Sequence, residues 1–163
     1  MKNKLLNLII LGVAMLFFAA CSPKNIVDEE RTFAGEVWNR VTPEVFEVEV
    51  TNTEDYYNID MTATVDTTLF RYNTLPLTVN IYSPGGERRT FLTAILLKEN
   101  GRWKGEAKEG KREVTTRIRT FFSFNSKGTH RMEIGQATSQ YNLEGIAALR
   151  LTVENTKIDY SDL

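Results

Sequence analysis

The sequence predicts an all-β fold: an antiparallel β-sandwich, jelly-roll-like, with about nine strands. Two observations carry this prediction. From Phe33 onward apolar and polar residues alternate with a period of two, which is typical of half-buried strands. The alternating segments are also short and are separated by turn residues, without an internal repeat or a strong helical period. Many short strands joined in this way are typical of sandwiches.

The first half of the domain contains four alternating segments. Phe46, Val48 and Val50 alternate with two glutamates and a threonine, so that one face of the strand is apolar and the other polar. The turn residues Pro84-Gly85-Gly86 separate the last two segments of this half. The predicted strands here are 46–50, 57–65, 77–81 and 90–97.

The second half contains further alternating segments and two clear turns. Asn100-Gly101 predicts a type I′ hairpin, because both residues tolerate the positive φ that this turn requires. Gly128 marks another turn. The predicted strands are 102–106, 113–124, 129–135 and 149–154. The segment from Ser139 to Gly145 is the one helical candidate, a single turn crossing an end of the sandwich.

The N-terminal segment predicts export and lipidation. Two lysines precede an apolar run from Leu5 to Phe18, and Ala19-Ala20 stand directly before Cys21, the sole cysteine. The apolar stretch is shorter than the roughly 20 residues that span a bilayer as a helix. The small-small-Cys ending predicts cleavage after residue 20 and acylation of Cys21. A plain secretory signal and a transmembrane anchor are the alternatives.

The predicted organisation has four parts: a signal peptide 1–20, a lipid-anchored flexible tether 21–31, one β-sandwich domain 32–156 and a C-terminal tail 157–163. Cys21 is not followed by an Asp or by an immediate acidic run, so we expect an outer-membrane lipoprotein that faces the periplasm. The membrane is thus one predicted partner, through the N-terminal lipid.

Composition argues against several other functions. The formal net charge is −1, and about −3 without the two N-terminal lysines, so no basic excess indicates nucleic-acid binding. The basic residues around the 107–113 loop are expected to form a solvated face. One histidine and one cysteine do not supply the usual transition-metal ligand sets. We predict no metal and no cofactor.

No catalytic residues are predicted. His130 falls in register with two apolar residues of its strand, which favours packing over the role of a base in a catalytic triad. Five strand carboxylates occupy polar positions and are expected to be solvated. Of the adjacent Phe121 and Phe122, one is expected to point outward. An exposed aromatic platform would suit a sugar or a protein partner, although core packing explains most of the aromatics.

Candidate partner-binding residues lie between the last two long strands. The segment from Ala137 to Gly145 lacks alternation and contains two apolar residues amid polar ones, Tyr141 and Leu143. Loops and exposed edges remain available for binding when strand faces are committed to a core. The alternative interpretation is that both residues close an open end of the sandwich.

Several motifs together resemble the gliding-motility lipoprotein family GldH of Bacteroidetes. The matching landmarks are the hairpin Glu99 to Gly105, the turn Phe124 to Thr129, the pair Gln136-Ala137, the segment Leu143 to Ile146 and the strand Leu149 to Glu154. The resemblance implies a non-enzymatic component associated with gliding and type IX secretion, with envelope proteins of that machinery as partners. A lipid-anchored carbohydrate-binding module is the alternative function.

Overall fold

Thirteen strands and one short 3₁₀ turn make up the described part of the chain. The computed structural model describes residues 25–156. The strands are β1 (Asn25–Thr32), β2 (Val37–Asn39), β3 (Glu44–Val50), β4 (Tyr56–Asp66), β5 (Thr74–Tyr82), β6 (Arg88–Leu96), β7 (Lys98–Glu99), β8 (Arg102–Trp103), β9 (Glu106–Lys108), β10 (Lys111–Phe122), β11 (Gly128–Gln136), β12 (Asn142–Glu144) and β13 (Ile146–Thr156).

Two antiparallel sheets contain the eight long strands. One sheet has the order β1-β13-β4-β10-β9, and the other has the order β3-β11-β5-β6. Numbered one to eight along the chain, the long strands therefore run 1-8-3-6 in the first sheet and 2-7-4-5 in the second. This is the strand order of a jelly roll. The predicted antiparallel sandwich is confirmed, with more strands than the nine expected.

The core lies between the two sheets and follows the period-two pattern. Ile59, Met61 and Ala63 of β4 are fully buried, and so are Leu77 and Val79 of β5 in the other sheet; all five belong to one apolar cluster. The outer face of the five-stranded sheet is polar instead. There Thr62 and Thr115 form a hydrogen bond between β4 and β10, and Arg117 pairs with Asp60. Each strand therefore divides its residues between core and solvent.

The jelly roll has two distinct ends. The "terminal end" carries the start of β1, the finish of β13, and the connections 51–55, 83–87 and 123–127. The "loop end" carries the connections 33–43, 67–73, 97–110 and 137–145, together with the short strands within them. All strand directions follow from the antiparallel registers, which assign every connection to one end.

The flexible tether predicted for residues 21–31 is wrong from Asn25 onward. Residues 25–32 form β1, which pairs with β13 along its length. The inner face of β1 does not show apolar alternation in the sequence, since Val27 is its only buried apolar residue. At Arg31 the guanidinium packs on the Phe46 ring instead, 4.7 Å from the centroid. Arg31 also pairs with Glu29. Charged residues on an edge strand protect its open side from pairing with other chains.

Two other predictions about local structure need correction. The helical candidate 139–145 is wrong, because residues 142–144 form β12 and pair with β2. The strand predicted for 113–124 spans 111–122, and its pairing with β4 is interrupted on either side of Arg119. The short strands β2, β7, β9 and β12 were missed because two or three residues are too few to show alternation. The Asn100-Gly101 turn has positive φ at both residues, as predicted.

The predicted signal peptide, Cys21 and the tail 157–163 lie outside the described residues. Among residues 25–156, no helix has the length and apolar character needed to cross a membrane.

His130 is a buried packing residue at the terminal end. Its Nδ1 donates to the Gly128 carbonyl at 3.2 Å, which leaves Nε2 to accept from the Ser126 hydroxyl at 3.4 Å. The ring packs edge-on against Phe124. Burial lowers the pKa of His130 from 6.5, and the nearby Arg89 acts in the same direction. The neutral imidazole is therefore the form that the fold accommodates.

We predict that His130 makes stability fall in mild acid. Below pH 6.5 the unfolded chain takes up a proton that the folded chain resists, so the free energy of unfolding declines as pH drops through this region. Urea unfolding at pH 7.5, 6.5 and 5.5 measures the slope. In His130→Gln, whose amide does not titrate, the slope over this interval should be smaller than in the wild type. Equal slopes would show that His130 is not responsible.

Candidate protein-binding site at the loop end

A two-stranded ribbon closes the loop end of the sandwich. β2 and β12 pair antiparallel, with Trp38 opposite Leu143. Both side chains are buried at the end of the core. The Trp38 indole stacks on Phe33 at 5.0 Å and donates to the Thr42 carbonyl at 3.2 Å. The ribbon thus fixes the backbone of both connections that it joins.

Gly145 joins three segments of the loop end. Its N–H donates to the Glu36 carbonyl at 2.8 Å, and its carbonyl accepts from the Asp66 N–H at 2.9 Å. Its φ is +83°, and a Cβ at this position would lie 2.5 Å from the Phe70 backbone nitrogen. Only glycine accommodates both the backbone conformation and the close approach.

Gln136 orders the loop that leads to Tyr141. Its buried side-chain Oε1 accepts from both the N–H and the hydroxyl of Thr138, at 2.9 and 2.6 Å. Its Nε2 donates to the Gln140 carbonyl at 2.9 Å. These three hydrogen bonds hold the bend after β11 in one conformation. The pair Gln136-Ala137 is recognisable as a motif in the sequence, but nothing in the sequence indicates these hydrogen bonds.

Four large apolar side chains are exposed on the loop end. Tyr141 is 55% exposed and Val41 62%. They lie on neighbouring segments, since the Arg40 N–H donates to the Tyr141 carbonyl at 2.8 Å. Leu69 and Tyr72 are 42% and 40% exposed on the 67–73 connection. A shallow cleft beside them is lined by Leu69, Arg71, Tyr72, Gln140, Asn142 and Glu144.

The structure separates the two predicted partner-binding residues. Tyr141 is exposed and available for contact. Leu143 is 1% exposed, so its side chain belongs to the core and cannot reach a partner. The reason is the pairing of β12 with β2, which turns alternate side chains of residues 141–144 toward and away from the core. The alternative interpretation, closure of the sandwich end, therefore applies to Leu143.

Several basic side chains form ion pairs within the fold. The basic residues near the 107–113 loop have partners: Lys108 pairs with Glu113, Lys111 with Glu36 and Arg117 with Asp60. Arg119 packs over the Phe91 ring, 3.5 Å from its centroid. Phe121 is the exposed member of its aromatic pair, but its φ of +50° takes it out of the regular strand that the predicted alternation assumes. Within residues 25–156 no group of three or more His, Asp or Glu side chains could hold a metal ion.

The fold class is an antiparallel jelly-roll sandwich. The family model described as GldH lipoprotein matches residues 25–153, and the chain belongs to this family. Membership makes it a lipid-anchored envelope protein. No curated protein matches the sequence.

One solved structure with similarity is a family GH115 4-O-methyl-α-glucuronidase with specificity for decorated arabinogalactans. The identity is 13% and the TM-score is 0.46. The similarity covers 85% of this chain and only 18% of that enzyme. At these values the comparison does not support a transfer of activity.

We predict that Gly145→Ala destabilises the protein more than Gly86→Ala. Both residues have φ near +85°, so each alanine adds about 1–2 kcal/mol of backbone strain. Only at Gly145 would the new Cβ also collide with backbone atoms, whereas nothing lies within 4 Å of it at Gly86. Chemical denaturation of both variants measures the difference. Equal losses of stability would show that the contact with Phe70 relaxes without cost.

Proposed function

We propose that the chain is a non-enzymatic outer-membrane lipoprotein that faces the periplasm and acts through protein contacts at its loop end. The protein assembly to which it belongs is associated with gliding motility or type IX secretion. Signal peptidase cleavage before Cys21 and acylation of that residue anchor it. The loop end then presents Tyr141 to an envelope protein of the same machinery.

The exposure of Tyr141 on a fixed backbone is the observation that carries this proposal. The Tyr141 carbonyl accepts a hydrogen bond from the Arg40 backbone N–H, and the side chains of Asn39 and Asn142 form a hydrogen bond at 3.0 Å. Gln136 fixes the preceding bend. An aromatic side chain on an ordered backbone loses little conformational entropy on binding, and tyrosines are enriched among residues that dominate interface energies.

The arrangement of ionisable groups supports a non-enzymatic role. His130 bonds to a backbone carbonyl and a serine hydroxyl, and no carboxylate orients it. Asp60 and Glu154 share Arg117 on the outer face of the five-stranded sheet, at 2.9 and 3.8 Å. These carboxylates serve as partners of a surface cation and do not face each other across a cleft.

A lipid-anchored carbohydrate-binding module is the second candidate. The shallow cleft at the loop end places Tyr72 beside amide and carboxylate side chains, a combination that suits sugar hydroxyls. Affinity electrophoresis of the purified protein against envelope polysaccharides tests this candidate. Retardation that is lost in Tyr72→Ala would favour it over the protein-binding role.

We predict that Tyr141→Ala weakens partner capture and leaves stability nearly unchanged. Crosslinking in intact cells, followed by purification from membranes, should recover envelope lipoproteins or secretion proteins with the wild type and fewer with this variant. Leu92→Ala is the matched control, because Leu92 is 74% exposed on a different face. Cys21→Ala should abolish recovery by removing the anchor.

Leu143→Ala is the contrasting variant for the measurement of stability. Truncation of this buried leucine should cost about 2–5 kcal/mol of unfolding free energy, whereas Tyr141→Ala should shift the thermal midpoint little. Strong destabilisation by Tyr141→Ala would show that Tyr141 has a structural role at the end of the sandwich. Unchanged recovery with a folded Tyr141→Ala protein would contradict the binding site.

A further inference from the structure

Phe121 is an exposed aromatic residue at the terminal end, held outward by an unusual backbone. It is 52% exposed and its φ is +50°, a left-handed conformation that bulky residues rarely adopt. The Phe121 N–H donates to Oδ1 of the buried Asn58 at 3.3 Å. The irregular pairing of β10 with β4 after Arg117 creates this conformation. The fold thus maintains a strained backbone that exposes a phenylalanine.

Phe121 lies at the same level of the sandwich as the start of the described chain. Asn25 is opposite Glu154, and Glu154 is opposite Asn58, which binds the Phe121 backbone. These residues form one row across four adjacent strands. At the usual strand spacing, Phe121 is about 14 Å from Asn25 along this row.

The length of chain before β1 places the lipid near this row. Cys21 precedes Asn25 by four positions, and four residues span at most about 14 Å when fully extended. From Glu154, β13 runs back to Ile146 over eight residue steps, which is roughly 26 Å toward the loop end. An acylated Cys21 therefore brings the terminal end, and not the loop end, to the bilayer.

One corner of the terminal end carries charge that suits a phospholipid surface. Arg88, the first residue of β6, and Lys127, in the connection that follows β10, are both exposed at this end. Arg89 reaches from β6 to the Ser123 carbonyl at 3.2 Å, and it shares this corner with Glu87. Arg88, Arg89 and Lys127 with Glu87 give this corner an excess of positive charge, which favours the phosphate groups of lipids. Glu54 and Asp55 of the 51–55 connection balance this charge over the terminal end as a whole.

We propose that the terminal end rests on the membrane surface, with Phe121 inserted among the lipid headgroups and the Arg88–Lys127 corner facing their phosphates. The lipid anchor and Phe121 then form two points of attachment on one side of the molecule, and the loop end points away from the bilayer. This orientation requires the anchor at Cys21, on which the proposed function also relies, but it does not require a protein partner.

Tryptophan fluorescence of the lipidated full-length protein in vesicles tests the orientation. The vesicles contain phosphatidylglycerol and phosphatidylcholine, with or without bromine on the acyl chains as a quencher. Both native tryptophans, Trp38 and Trp103, belong to the loop end and supply an internal reference. Phe121→Trp should add emission that is blue-shifted and quenched by the brominated lipid.

Two matched controls place a tryptophan elsewhere on the surface. Tyr141→Trp on the loop end and Leu92→Trp on the outer face of the four-stranded sheet should add emission that the brominated lipid does not quench. Lys127→Trp, in a neighbouring connection of the terminal end, replaces Phe121→Trp if that variant does not fold, and it should be quenched in the same way.

The outcomes separate the anchor from the orientation. Mass spectrometry and vesicle flotation first establish that Cys21 is acylated; failure here would overturn both this proposal and the proposed anchoring. With an anchored protein, quenching at residue 121 no greater than at 141 would overturn the orientation alone. Equal quenching at 121 and 92 would show that the sandwich lies on its side.

Discussion

The burial of the two inner sheet faces against each other is the interaction on which the structure depends. Cys21 is the only cysteine, so no disulfide can link the strands. Neighbouring strands such as β1 and β13 come from opposite ends of the described chain, and their pairing is maintained only while the core between the sheets is closed. Apolar burial therefore supports the long-range backbone pairing.

The jelly-roll topology turns this core into a molecule with two different ends. In the described chain, the three short connections lie at the terminal end with the start of β1, and the four longer connections lie at the loop end. Because β1 starts at the terminal end, the N-terminal residues of the described chain and the longest loops are separated by the length of the strands. Membrane contact and partner contact can then use separate surfaces.

Buried polar side chains fix local backbone conformations that apolar packing alone does not fix. Gln136 holds the bend after β11, and Asn58 holds the left-handed Phe121. Both amides are buried and form hydrogen bonds with backbone groups of exposed neighbouring residues. Alternation cannot reveal such roles, since a buried amide occupies the same kind of position as a buried apolar residue. The motif containing Gln136 was visible in the sequence, whereas its hydrogen bonds were not.

The β class, the jelly-roll-like sandwich, most long strands and the Asn100-Gly101 turn could be predicted from the sequence, because period and turn chemistry are local properties. The sequence also indicated a candidate segment containing Tyr141 and Leu143. Which of the two is exposed depends on the folded chain, because Leu143 is buried beside Trp38 of β2, a strand remote in sequence. For the same reason β1 was mistaken for a tether: its inner face is completed by Phe46 of the opposite sheet. The burial of a side chain depends on packing partners that are remote in sequence, and alternation within one strand does not identify those partners.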